Sequence, residues 1–244
     1  MNQAQGILST MEYPGRLIAL GTAPGGKAAV IVYAITGRSP SSQARKLVAR
    51  DGGLWVQPTD EDALKKGNVD LLVYPAVLFH EAGIAVSNGR QTTDVRERLA
   101  AGGDAVSVLA GALRGWDYEP DAPIYTPRIS GCVLGGAAAL SLVRRGPEGT
   151  TLRSYFEVPP RTGRAALVST YRGPNSEPLP CFEGEPRDTA LEGGTPRETA
   201  EWVYGSLGPR TPDRDFRVAV ACIFAPPDGR GSRELHIINR HERT

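Results

Sequence analysis

Arg16-Leu17-Ile18-Ala19-Leu20, then Pro24-Gly25-Gly26, then a run from Lys27 to Thr36 rich in valine, isoleucine and tyrosine is the stretch whose reading decides the fold class. Two β-rich runs about a Gly/Pro turn predict a hairpin. The segment Gly21 to Lys27 is glycine-rich and carries a lysine, but a strand follows it where a phosphate-binding P-loop requires a helix. The turn reading therefore prevails.

Outward from the hairpin the same grammar recurs. Leu54-Trp55-Val56, Val69 to Val73 and Gly83 to Val86 read as strands. So do Ile129 to Val143 with a break at Gly135-Gly136, Leu152 to Val158, Ala165 to Thr170, Phe216 to Phe224 and Glu234 to Asn239. Ser39 or Ser41 is placed to cap a helix over Gln43 to Ala49. Val95, Leu99, Val106, Leu109 and Leu113 recur at helical spacing, broken near Gly102-Gly103, with Thr93 or Asp94 and then Asp104 as caps. Glu198 to Tyr204 predicts one more helix. Tyr118 to Arg128 reads as a structured loop, and Gly173 to Pro196 as a long surface excursion. Many strands, few helices and no βαβ alternation predict an α+β fold with largely antiparallel sheets.

The bulk numbers narrow the function. The chain has 244 residues, 23% of them charged, with a formal net charge of +1. A nearly neutral chain has no bulk attraction to nucleic acid or an anionic membrane. No apolar run approaches the roughly 18 residues of a membrane span, and Met1 to Thr10 lacks the pattern of a secretory signal. A cytoplasmic location is expected, without nucleic-acid or membrane partners. Three widely spaced cysteines and three histidines make a disulfide framework or a metal site a poor expectation.

Several short constellations remain. Gly37-Arg38-Ser39-Pro40-Ser41-Ser42 sets an arginine and three hydroxyls after a strand, which suits a phosphate and equally suits a helix cap. Ser87-Asn88-Gly89-Arg90-Gln91-Thr92-Thr93 concentrates amides and hydroxyls that could read a base edge or a ribose. It also reads as a turn with a helix cap. Asp117, Glu119 and Asp121 crowd three carboxylates into five residues, which would push one of them toward acid–base use. Tyr74 stands before Pro75, where a core role is the ordinary one. His80 and Cys132 read as structural.

In order along the chain, Tyr13-Pro14-Gly15-Arg16, Ile35-Thr36-Gly37-Arg38-Ser39, Ser87 to Thr92, and Tyr118 to Gly131 with its YEPDAP and TPRISG blocks resemble the motif series of the archaeal-type IMP cyclohydrolases; Ile237-Ile238-Asn239 also fits. The resemblance spans about Tyr13 to Asn239. It departs at Ala34, where the family tends to have Trp, at Pro75 in place of Asn, and at Arg90 in place of an acidic residue.

The resemblance implies a four-layer αββα sandwich of the N-terminal-nucleophile hydrolase type, formed by one domain over 13–244 after a flexible leader over 1–12. It implies closure of 5-formamidoimidazole-4-carboxamide ribonucleotide to IMP, with no cofactor or metal, and leaves homo-oligomerisation open. Tyr74, Glu119 and Arg38 would be catalytic. Arg16, Ser39, Asn88, Gln91, Thr92, Asp121 and Arg128 would bind substrate, with Arg38 and Arg128 or Arg16 on the 5′-phosphate. The competing expectations are a paralogue acting on a related ribotide and a non-catalytic nucleotide binder.

Overall fold

The structure, a computed structural model, describes residues 6–50, 52–59, 73–209, 211 and 214–243. The hairpin is present as β1 (Arg16–Thr22) and β2 (Ala29–Thr36), with Arg16 opposite Ile35 and Thr22 opposite Ala29. All of β2 is buried. Ile31, Tyr33 and Ile35 point into a core between two sheets, whereas Val30, Val32 and Ala34 face a helix on the opposite side. Coverage on both faces explains why the run is apolar throughout rather than alternating.

Around this hairpin six strands form one sheet in the order β11-β10-β1-β2-β12-β13, using β10 (Arg164–Ser169), β11 (Arg187–Ala190), β12 (Arg217–Ala225) and β13 (Glu234–Asn239). The second sheet runs in chain order: β3 (Arg45–Arg50), β4 (Gly53–Pro58), β5 (Tyr74–His80), β6 (Gly83–Ser87), β7 (Arg128–Leu134), β8 (Ala137–Arg145) and β9 (Thr151–Val158). Neighbouring strands are antiparallel in both sheets.

Four α-helices stand among the described residues: α1 (Pro40–Gln43), α2 (Gln91–Leu99), α3 (Ala105–Ala112) and α4 (Pro196–Ser206). Val95, Leu99, Val108 and Leu109 of α2 and α3 pack on Ala85, Cys132, Ala139 and Val143 of the second sheet. Ala200 and Val203 of α4 pack on Val220 and Cys222 of the first. The largest core joins the inner faces of the two sheets, with Ile18, Leu20 and Ile31 meeting Leu54, Val77 and Leu140. The protein is thus α+β, with two facing antiparallel sheets and helices against their outer faces.

At one edge the sheets are clasped by a side chain. Asn239 at the end of β13 accepts from Leu47 N (2.8 Å) and donates to Leu47 O (3.0 Å).

Three local expectations are corrected. Ser39 does cap a helix, but only the single turn of α1; Arg45 to Arg50 is strand β3 rather than helix. Pairing with β4 and the Asn239 clasp override a weak local preference. Tyr74 begins β5; the strand expected over 69–73 lies outside the described residues except for Val73, a bend. The surface excursion contains β11 and buries Leu179, Phe182 and Leu191. In the expected flexible leader, residues 7–10 form a 3-10 turn and Leu8 and Met11 are buried beside α4 and β10. Gly102-Gly103 separates two helices, as the spacing indicated, although α2 begins earlier, at Gln91.

Gly15 fixes where β1 starts. Its φ of 73° is open to glycine at little cost, and its N–H and carbonyl bind the Thr36 hydroxyl at 2.9 and 3.0 Å. A Cβ there would collide with the Thr170 hydroxyl and the Tyr171 ring. Gly15→Ala should therefore lower stability by about 1–3 kcal/mol, read as a fall in the urea midpoint with an unchanged m-value.

Candidate active site

The strands deliver a group of polar side chains to one end of the sandwich. Arg16, Arg45, Tyr74 and Arg128 are the first residues of β1, β3, β5 and β7; Asn88 follows β6 and Arg38 follows β2. In an antiparallel sheet the starts of alternate strands share an edge with the ends of their neighbours. These residues, with Ser39, Arg90, Trp116, Glu119, Asp121 and Tyr171 among others, line a cavity of about 610 Å³. Five arginines face two carboxylates there. This excess of positive charge suits an anionic ligand even though the whole chain is nearly neutral.

Glu119 organises the interior. It is 4% exposed and accepts from Arg16 Nη2 at 3.1 and 3.4 Å. Asn88 Nδ2 lies 3.5 Å away and Arg128 Nη1 3.9 Å away. Burial opposes the charge on Arg16, but the Glu119 carboxylate beside it, with neighbouring phenols, raises its pKa above the ordinary arginine value. Burial wins for Arg128, whose pKa is lowered despite Glu119. Arg128 is nevertheless held on several sides: over the Trp116 ring at 4.8 Å, on Asp117 O at 2.8 Å and on Gln91 Oε1 at 3.3 Å.

Near Arg16, the hydroxyls of Tyr74 and Tyr33 meet at 2.9 Å. Tyr33 comes from the first sheet and Tyr74 from the second, so the contact spans the sandwich. Arg45 is 5% exposed and bonds Ser42 O through Nε (2.8 Å). Desolvation lowers its pKa, and it forms no ion pair with a carboxylate among the described residues.

A family model, IMP cyclohydrolase-like protein, matches residues 13–225. The chain belongs to this family. A curated IMP cyclohydrolase from Methanothrix thermoacetophila is 27% identical over 194 residues, 79% of this chain and 86% of its own length. Another, from Methanopyrus kandleri, is 28% identical over 160 residues, 65% of this chain and 75% of its own.

Most residues singled out by the resemblance to IMP cyclohydrolases meet in this cavity: Arg16, Arg38, Ser39, Tyr74, Asn88, Glu119, Asp121 and Arg128 all line it. Gln91 and Thr92 do not. Gln91 is wholly buried and holds Asn88 Oδ1 (2.9 Å) and Arg128 from behind, while the Thr92 hydroxyl bonds Gly89 O (2.7 Å) at the start of α2. Asp121 has both oxygens occupied by Thr126, at 2.6 Å to its N–H and 2.5 Å to its hydroxyl. It shapes the loop that presents Glu119.

The three acidic side chains of this loop are not crowded together. Asp117 pairs with Thr151 and Arg153, Glu119 with Arg16, and Asp121 with Thr126. Of the three family departures only Arg90 lines the cavity; Ala34 packs in the core beneath α4. Cys132 is buried, its thiol pushed up to about 12 by desolvation, and the His80 ring accepts from Ala82 N at 3.1 Å. Both are structural. Among the described residues no group of three or more histidine, cysteine and acidic side chains could hold a metal.

Tyr33 and Arg45 are among the residues that sequence reading missed. Each sits in an ordinary strand pattern, and only the meeting of the two sheets makes it part of the site.

At the rim Arg38 is occupied by its own chain, 2.5 Å from Glu177 Oε1 and 3.3 Å from Asn175 Oδ1. Glu177 is largely exposed, so the pair is weak. Glu177→Gln should release Arg38 and tighten binding of inorganic phosphate up to about fivefold, the upper range for a surface ion pair. Calorimetry at two salt concentrations would check this, with the gain shrinking at high salt.

Proposed function

We propose that this protein is an IMP cyclohydrolase, closing 5-formamidoimidazole-4-carboxamide ribonucleotide to IMP with loss of water in purine biosynthesis. The observation that carries the reading is the convergence of Arg16 and Glu119, from two separate family motifs, with Tyr74 on one cation-rich cavity. On this reading the sandwich is of the N-terminal-nucleophile hydrolase type, residues 13–244 act as one domain, and the enzyme works in the cytoplasm on a small ribotide. Among the described residues no helix is long and apolar enough to cross a membrane.

The chemistry sets three tasks. The carboxamide nitrogen, a poor nucleophile, attacks the formyl carbon and gives up a proton, while the formyl oxygen becomes a hydroxyl. The formamide nitrogen then gives up its proton and that hydroxyl departs as water, leaving the ring C=N. The two arms must be held in contact, a proton must be accepted, and charge developing on oxygen must be stabilised. Asn88, backed by Gln91, is suited to orient the carboxamide. Glu119, its oxygens directed by Arg16 and Asn88, is suited to accept the proton. Tyr74 is suited to donate to the formyl oxygen, with Arg16 and Arg45 nearby to stabilise charge there. Arg38 and Ser39 at the rim are suited to the 5′-phosphate once Glu177 is displaced.

Mixing the purified protein with the formamido ribotide and following IMP formation tests the reading. Glu119→Gln and Tyr74→Phe should each lower kcat by about 10²–10⁴-fold, the usual contribution of a general acid or base. Undiminished turnover in either variant would remove that residue from the scheme.

A further inference from the structure

We propose that Tyr33 is a positioning residue that donates its hydroxyl proton to Tyr74, so that the Tyr74 proton points into the cavity and Tyr74, not Glu119, is the proton donor of the site. The catalytic consequence rests on the cyclohydrolase reading; the direction of the hydrogen bond does not.

Proton bookkeeping supplies the argument. Each phenol has one proton to give. Tyr33 is 0% exposed, on a strand buried on both faces, and its hydroxyl has one hydrogen-bond partner among the described residues, the Tyr74 hydroxyl at 2.9 Å. Tyr74 differs because it lines the cavity. If Tyr74 donated to Tyr33, the Tyr33 proton would be buried with nothing to accept it, a costly arrangement that folded proteins avoid. If Tyr33 donates, both protons are served: its own goes to the Tyr74 oxygen, and that of Tyr74 goes to whatever occupies the cavity.

The surroundings agree. Desolvation, reinforced by Tyr74, raises the pKa of Tyr33 well above that of a free phenol, so it keeps the proton it must donate. Arg16 and Arg45 act electrostatically on the same phenol pair. Positive charge there would stabilise an oxygen gaining negative charge as it accepts from Tyr74. Glu119, which lines the same cavity, already accepts from Arg16 and Asn88, the arrangement of an acceptor. An electrophile with a donor at its oxygen and a nucleophile with an acceptor at its N–H is the division of labour that ring closure needs.

A double-mutant cycle tests the coupling. Tyr33→Phe removes one oxygen and keeps the ring, so the core packing is retained. It should lower kcat about 2- to 10-fold, the worth of one neutral hydrogen bond, and leave KM and IMP affinity unchanged. In a Tyr74→Phe background the same substitution should cost nothing further in kcat. An equal loss in both backgrounds would mean that Tyr33 only supports the fold, and would overturn the proposal.

A second measurement needs no substrate. Tyrosines labelled with ¹³C at Cζ report hydrogen-bond direction, because the carbon is shielded when its oxygen accepts and deshielded when its hydroxyl donates. Tyr33→Phe should move the Tyr74 Cζ resonance downfield; an upfield shift would reverse the assigned direction. If this shift is as expected while the wild-type protein forms no IMP, the functional reading fails and the hydrogen-bond assignment stands.

Discussion

A single buried carboxylate lets two guanidinium groups stand at the mouth of the same sandwich. Without Glu119, Arg16 and Arg128 would face each other across a poorly solvated space, and uncompensated charge of that kind is costly to bury. With it, their forks have a common target and the strand ends carrying them can converge. The loop from Tyr118 to Arg128 exists in its observed shape to bring that carboxylate inward. Asp121 binds Thr126, Glu119 N donates to Thr126 O at 2.9 Å, and the Thr126 hydroxyl lies 3.0 Å from that of Tyr171. Each contact is local and modest. Their joint effect is to aim one side chain.

Two kinds of support then surround the cavity. Strand ends supply residues whose backbone is fixed by sheet pairing: Arg16, Arg45, Tyr74 and Arg128. Loops supply Arg38, Asn88 and Glu119, each restrained by side-chain bonds. A site built in this way can hold its reacting groups with little freedom, which is what an intramolecular ring closure demands of its catalyst. The exposed Glu177 on Arg38 is the exception, and it lies at the rim where a ligand must enter.

The legible part of the fold was the part written in short-range patterns. Hairpins such as Arg16 to Thr36 and Ile129 to Val143 announce themselves through apolar runs and glycine turns, and seven consecutive strands make the whole second sheet a meander. The first sheet is different. It joins β10 to β1, and β12 to β2, across more than a hundred residues, and no local signal encodes those partners. Arg45 to Arg50 shows the same limit on a smaller scale, since its composition suits a helix as well as a strand. The motif residues were recognisable by their order along the chain. What could not be read was the direction of each side chain, so the sequence did not show that Gln91 and Thr92 stand outside the cavity lining or that the Tyr33 hydroxyl meets that of Tyr74.

The Asn239 side chain offers the edge of β3 a carbonyl and an N–H in the spacing of a peptide group. To that strand it is a counterfeit neighbour, one residue long. Sheets with open edges are prone to recruit another chain's strand, and here one donor–acceptor pair of β3, that of Leu47, is already engaged. The clasp therefore joins the two layers and also discourages self-association along that margin, a form of solubility protection that costs one amide.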